Sequence, residues 1–140
     1  MGARQVDAFF YGLFMDIDVL NDSGAKPSNV RRAYVADFAL RIGQRATLIP
    51  SIGERAYGML IALTHEELAR LYSAPGLEDY HPEAVLAQPF EGTAVPALCY
   101  NLREGPELHE RNPGYAARLQ DLLRKLRFPA EYIASIDRHK

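Results

Sequence analysis

The chain has 140 residues, 48% of them hydrophobic, which is the size and composition of one globular domain able to bury a core. Sixteen basic residues stand against 18 acidic ones without a dense Lys/Arg block, so we expect no nucleic-acid partner. No apolar run approaches the roughly 18 residues of a membrane span and the first ten residues lack the apolar segment of a signal peptide, which predicts a cytoplasmic protein with no membrane partner.

The first half of the chain is predicted to consist mainly of strands. Residues 8–12 form a short apolar run typical of a buried strand, and NDSGAKPSN, 21–29, is typical of a loop. Residues 34–43 place apolar side chains at every second position, as a strand does. ATLIPS and AYGMLIAL predict two further strands joined by a hairpin-like SIGER connection. Gly58, inside the second of these, indicates a bulge or a close backbone contact.

A helix is predicted to begin directly after these strands. Thr64 and Glu67 have the spacing of a capping box, which places the first helical residue at His65. Leu68, Leu71 and Tyr72 then form one apolar face, and PG at 75–76 is expected to end the helix.

The last third combines a strand pair with helices. EAVLAQPF and TAVPALCYNL predict two strands joined by EG at 91–92, and Pro96 indicates that the second is an edge strand or carries a bulge. Asn112 and Pro113 are typical of a helix start, and the residues after 129 favour a short final helix. We therefore expect one α+β domain over 1–140, a curled sheet or small barrel with helices outside and a C-terminal helical extension at about 112–137.

The stretch DAFFYGLFMDID, 7–18, contains a glycine where no surface turn is expected. Gly12 lies between large apolar residues rather than beside the Asn, Asp, Ser or Pro typical of turns. It is either a plain break at a strand end or a point where the backbone approaches a ligand, because glycine has no Cβ to block such an approach. In the second case, consecutive backbone N–H groups would hold a carboxylate or an oxyanion.

Common catalytic and metal-binding motifs are absent from the sequence. It contains no G-x-S-x-G, GxxxxGK[ST], GxGxxG or H-E-x-x-H pattern. The four histidines, at 65, 81, 109 and 139, lack metal-ligand spacing and are expected at the surface. The single cysteine, Cys99, lies in an apolar strand and is interpreted as a buried structural thiol. We expect no metal site.

Several segments together resemble the γ-glutamylcyclotransferase family, which includes the AIG2-like proteins. FFYGLFMD resembles the Y-G-x-x-M strand-end motif that opens the family, and RAYGMLIALTHEELARLYSAPGLEDYHPEAVLA and TAVPALCYNL resemble its later segments in order and spacing, over about residues 7–102. The resemblance implies a small mixed β-barrel flanked by helices. It also implies a substrate-binding set consisting of Tyr11, Gly12, Leu13, Phe14, Tyr80 and Tyr100.

The resemblance further implies a reaction without metal or cofactor. In such enzymes the α-amine of a γ-glutamyl compound attacks its own γ-carbonyl, releasing an amine or amino acid and leaving 5-oxoproline, so that proximity supplies much of the acceleration. A carboxylate would carry the proton between the two nitrogens. The implied partner is a small molecule with a carboxylate or an amide.

The sequence departs from the family where the catalytic glutamate is expected. Tyr72 or Ser73 aligns with that position, and neither is an acid. Glu78, shortly before Tyr80, is the candidate that could replace it as the catalytic residue if its loop folds inward.

Three hypotheses for the function follow. The first is a γ-glutamylcyclotransferase that uses Glu78, and the second is a non-catalytic small-ligand-binding protein that keeps the pocket without the acid/base residue. In the third, the apolar face of the C-terminal helix binds a partner. The substrate and the oligomeric state are left open.

Overall fold

A five-stranded barrel with helices outside it is the centre of the fold, in a computed structural model that describes residues 4–140. The strands are β1 (Gln5–Phe10), β2 (Ser28–Ile42), β3 (Ala46–Thr64), β4 (Tyr80–Pro89) and β5 (Val95–Leu102). The helices are α1 (Ile17–Asp22), α2 (His65–Leu71), α3 (Pro113–Lys125) and α4 (Ala130–Ser135), with short 3-10 turns at Leu13–Met15 and Ile136–His139. The barrel closes in the order β1-β3-β2-β4-β5. Among the described strands only the β1–β5 pairing is parallel, so the predicted α+β fold with a small mixed barrel is confirmed.

Alternation along the strands fills the barrel interior. In β5, every second residue is buried, namely Ala97, Cys99 and Asn101. Cys99 is fully buried, as predicted. Asn101 is tolerated inside because its side chain is hydrogen-bonded at both ends: Oδ1 accepts from the Leu48 amide at 3.2 Å, and Nδ2 donates to Glu83 at 2.6 Å.

The SIGER segment does not form a hairpin, and that prediction is wrong. β3 runs through it as one strand of 19 residues. The pairing with β2 shifts here, from Ala36 opposite Arg55 to Phe38 opposite Pro50, so the extra residues bulge outward. Asp37 and Gly53 both have positive φ, and Asp37 Oδ1 accepts from the Gly53 amide at 2.9 Å. A bulge held in this way adds residues to a strand without reversing the chain.

Several other predicted boundaries also differ from those of the structure. β1 ends at Phe10, so Gly12 lies beyond the strand, and β2 begins at Ser28 within the predicted loop. The helix α1 was not predicted; Asp16 caps it by accepting from the Asp18 amide at 3.0 Å. The strand that contains Pro96 is not an edge strand, because β5 pairs with β4 on one side and with β1 on the other.

The predicted capping box is confirmed at the start of α2. Thr64 Oγ1 accepts from the Glu67 amide at 3.1 Å, and Glu67 Oε1 accepts from the Thr64 amide at 2.8 Å. The helix ends at Leu71, earlier than PG at 75–76, and Tyr72 is its C-terminal cap. Tyr72, one of the two residues that the resemblance aligns with the family's catalytic position, therefore stands at a helix end.

The C-terminal helices cover one side of the barrel. Asn112 caps α3 as predicted, accepting from the Tyr115 amide at 3.2 Å. Leu119 and Leu123 on the apolar face of α3 are fully buried in the core, so this face is not available to a partner. His139 is also buried, contrary to the prediction of a surface histidine. No helix between residues 4 and 140 is both long enough and apolar enough to cross a membrane.

Gly58 marks a close backbone contact, as predicted. A Cβ at this position would touch the carbonyl oxygen of Phe10 on β1 and lie 2.8 Å from Phe9 Cζ. The contact brings β3 tightly against the end of β1, immediately before the loop that contains Gly12.

Candidate functional site

A cavity of about 230 Å³ opens at the end of the barrel where β1 ends and β3 and β4 begin. The loop after β1 contributes residues 11–14, and the β2–β3 turn contributes residues 44–46. Three tyrosines from later in the chain complete much of the wall: Tyr72 at the end of α2, Tyr80 at the start of β4 and Tyr115 in α3.

The glycine of the first loop is required by a close approach, not by an unusual backbone conformation. Gly12 has φ −116° and ψ −151°, which is extended backbone. A Cβ on Gly12 would lie only 2.5 Å from the hydroxyl oxygen of Tyr115. The C-terminal helix therefore contacts the loop directly.

The amides of residues 12–14 in this loop are free of backbone pairing within the described chain. The chain turns after Gly12 through hydrogen bonds from the Met15 amide to the Gly12 carbonyl, 3.0 Å, and from the Asp16 amide to the Leu13 carbonyl, 3.1 Å. Over residues 4–140, the amides of Gly12 and Phe14 donate to no backbone carbonyl. Both residues line the cavity, as expected of N–H groups that could hold a ligand oxygen.

Tyr72 lies at the centre of an aromatic cluster beside the loop. Its ring stacks on that of Tyr100, with centroids 3.9 Å apart and planes 8° from parallel. The ring of Phe14 meets Tyr72 edge-on at 5.6 Å, and Tyr80 lies at 6.0 Å on another side. Such offset and edge-on contacts hold the Tyr72 ring in one orientation.

The tyrosine hydroxyls differ in what they are free to do. Tyr11 donates to the carbonyl of Tyr100 at 2.7 Å, and Tyr80 donates to the carbonyl of Ala46. The Tyr72 hydroxyl forms no hydrogen bond with any residue from 4 to 140. Burial, followed by the nearby Cys99, raises the pKa of Tyr72 well above its ordinary value, so its hydroxyl keeps its proton at neutral pH.

Arg45 is the charged residue of the cavity wall, and no Asp or Glu lines the cavity within the described chain. Its guanidinium pairs with Asp79 at 3.0 Å near the surface. Glu78, the predicted catalytic residue, is exposed on the turn before β4 and does not line the cavity, although its neighbour Leu77 does. The catalytic role of Glu78 stays a prediction.

The structure brings most of the predicted binding residues together. Residues 11–14 and Tyr80 line the cavity, whereas Tyr100 lies behind Tyr72 and supports it. Sequence reasoning did not find Tyr115 or Arg45 as wall residues. Arg45 lies in a turn and Tyr115 begins a helix, and neither has a local pattern that distinguishes it from a surface residue.

Comparison with solved structures shows a shared fold. A γ-glutamyl cyclotransferase matches with a TM-score of 0.80 and 19% identity, over 98% of this chain and 89% of that one. An uncharacterized protein from Homo sapiens matches with a TM-score of 0.77 and 21% identity, over 97% of this chain and 88% of that one. An AIG2-like protein from Mus musculus matches with a TM-score of 0.58 and 18% identity, over 79% of this chain and 92% of that one. No protein-family model and no curated protein sequence matches the chain.

These matches confirm at the level of the fold what the motifs indicated. The chain has the barrel of the γ-glutamylcyclotransferase and AIG2-like proteins. At 18–21% identity the likeness carries the fold and not the activity, so the function must be argued from the cavity itself.

Proposed function

We propose that this protein binds a small molecule in the cavity beside Gly12 and does not carry out the cyclisation reaction associated with its fold. The ligand has a carboxylate or carbonyl oxygen that the amides of Gly12 and Phe14 hold, while the aromatic rings around Tyr72 contact its apolar part. A cavity of about 230 Å³ suits a molecule of metabolite size.

The observation that carries this proposal is the side chain at position 72. A γ-glutamyl cyclisation forms a bond from the α-amine nitrogen to the γ-carbonyl carbon, breaks the bond to the leaving nitrogen, and moves a proton from the first nitrogen to the second. That proton needs an acceptor with a pKa near the operating pH. Tyr72 or Ser73 aligns with the residue that would accept it, neither is an acid, and the raised pKa of Tyr72 makes that residue a poor match for this task.

Catalysis through Glu78 is the second candidate function, and the position of Leu77 favours it. Leu77 lines the cavity, and its amide and carbonyl bond to residues 74 and 80 in the same turn. A small rearrangement of this exposed turn would bring the next residue, Glu78, toward the cavity. The carboxylate would then accept the proton from the α-ammonium and return it to the leaving nitrogen.

The first experiment measures binding. The ¹⁵N-labelled full chain is titrated with a fragment set of small carboxylates, amides and amines, and amide shifts are followed by NMR. We expect at least one fragment to shift the amides of residues 12–14, with no shift at Gly53, an open position on the β3 bulge. Absence of any saturable shift at residues 12–14 across the set would refute the binding proposal.

The second experiment separates binding from turnover. Release of 5-oxoproline from γ-glutamyl amines and dipeptides is measured for the unmodified protein, Glu78→Gln and Tyr72→Glu. We expect no release by the unmodified protein and measurable release by Tyr72→Glu, which puts a carboxylate in the cavity. Release by the unmodified protein that Glu78→Gln abolishes would establish the second candidate instead. Release that survives Glu78→Gln would exclude both assignments.

A further inference from the structure

We propose that the cavity selects ligands that carry a carboxylate and no ammonium group, and that Tyr72 sets this preference. The inference rests on the proposed binding function and specifies the charge of the ligand. It follows from the hydrogen-bond donors and acceptors that the cavity-lining residues carry.

Hydrogen-bond donors predominate in the cavity wall. The amides of Gly12 and Phe14 have no backbone acceptor within residues 4–140, and the Tyr72 hydroxyl has no partner there. The Tyr115 hydroxyl, which lies beside Gly12, adds a further donor. Arg45 adds a positive charge at the rim. These groups provide up to four donors and one cation for a carboxylate.

Carboxylate acceptors for an ammonium group are missing from the described part of the same wall, where the remaining acceptors are neutral hydroxyl and carbonyl oxygens. No Asp or Glu of the described chain lines the cavity. The carbonyls of Ala46 and Tyr100 already accept from tyrosine hydroxyls. The Gln44 carboxamide lies at the exposed rim, where water competes for it. An ammonium group entering the interior would lose its hydration without gaining hydrogen bonds of similar strength.

Aromatic walls alone would not reverse this preference. Phe14 and Tyr72 present rings that attract cations, but Arg45 lines the same small cavity and repels a second positive charge. Asp79 offsets part of this repulsion, and solvent weakens it further because 40% and 73% of the two side chains are accessible, so the absence of a carboxylate from the described wall is the main ground for the preference.

Three small molecules, each with a five-membered ring, test the proposal as ligands. 5-Oxoproline has a carboxylate and a lactam, proline has the same ring with a carboxylate and an ammonium group, and 2-pyrrolidinone has the lactam alone. Dissociation constants are measured by NMR titration and calorimetry on the full chain. We expect 5-oxoproline to bind about tenfold or more tightly than either of the others.

Substitutions at position 72 provide the residue-specific readout. Tyr72→Phe keeps the stacked ring. It should raise the dissociation constant of 5-oxoproline several-fold and leave that of proline unchanged. Tyr72→Glu should shift the ratio of the two constants toward proline. Tyr34→Phe, a tyrosine outside the cavity, is the matched control and should change neither constant.

Each outcome decides the proposal. Equal or tighter binding of proline, no binding of any ring, or a ratio that neither variant changes would overturn it. Those results leave the proposed binding function intact if other fragments still shift the amide NMR signals of residues 12–14. Absence of all shifts at those residues would refute the binding function itself.

Discussion

The contact between Gly12 and Tyr115 allows a quantitative test of how the cavity is built. Gly12→Ala places a Cβ at 2.5 Å from the Tyr115 hydroxyl oxygen, whereas ordinary carbon–oxygen contacts begin at about 3.3 Å. The two atoms must separate by roughly 0.8 Å. Tyr115 does not retreat freely, because Ala116 and Leu119 on the same helix are fully buried. Overpacking of this kind costs about 1–3 kcal/mol of the free energy of unfolding.

A double-mutant cycle isolates this clash. Tyr115→Phe removes the hydroxyl that the new Cβ would meet, and by itself this change should cost about 1 kcal/mol or less. The new Cβ at position 12 would lie 3.9 Å from the remaining ring carbon of residue 115, which is an ordinary contact. Gly12→Ala should therefore cost little once Tyr115 is Phe, and the double variant should be about as stable as Tyr115→Phe alone.

Urea unfolding followed by circular dichroism measures the four free energies of unfolding. We expect a coupling of about 1–2 kcal/mol, with the Gly12→Ala single variant melting roughly 3 °C lower per kcal/mol lost. Additive effects within about 0.5 kcal/mol would show that the hydroxyl does not touch Gly12 and would refute this account of the glycine.

Three further predictions concern the fold. Gly58→Ala pushes a Cβ against the Phe10 carbonyl and should lower the free energy of unfolding by about 3 kcal/mol. Gly114→Ala meets no atom closer than 4.0 Å and should raise the free energy of unfolding by about 0.5 kcal/mol. Similar urea midpoints for both variants would contradict this difference. Thr64→Ala should cost about 1 kcal/mol by removing the α2 cap, and an unchanged midpoint would show that the cap contributes nothing. Burial, followed by neighbouring arginines, lowers the pKa of His139 to about 4 from 6.5. Between these two pH values only the unfolded chain binds the proton, so stability should fall as pH drops through this window, and His139→Asn should reduce that fall; equal pH slopes for both proteins would exclude His139 as its source.

Local sequence patterns predicted several elements of the fold. The capping box at Thr64 and the start of α3 at Asn112 were correct because a cap needs only residues within one helical turn. The hairpin at 91–92 was correct for a similar reason, because a glycine turn lies between two runs of β-type residues. The bulge in β3 was missed because Gly53 has the same local signature in a bulge as in a hairpin, and only the pairing with β2 distinguishes the two.

By itself, the sequence identified the glycine loop at 11–14 and the absence of an acid at positions 72 and 73, because both are properties of short segments. The tertiary structure decided that Tyr72, Arg45 and Tyr115 surround that loop and that Glu78 stays outside. These residues come from elements up to 104 positions apart, 115 − 11, and only the closure of the barrel and the docking of α3 on it bring them into contact.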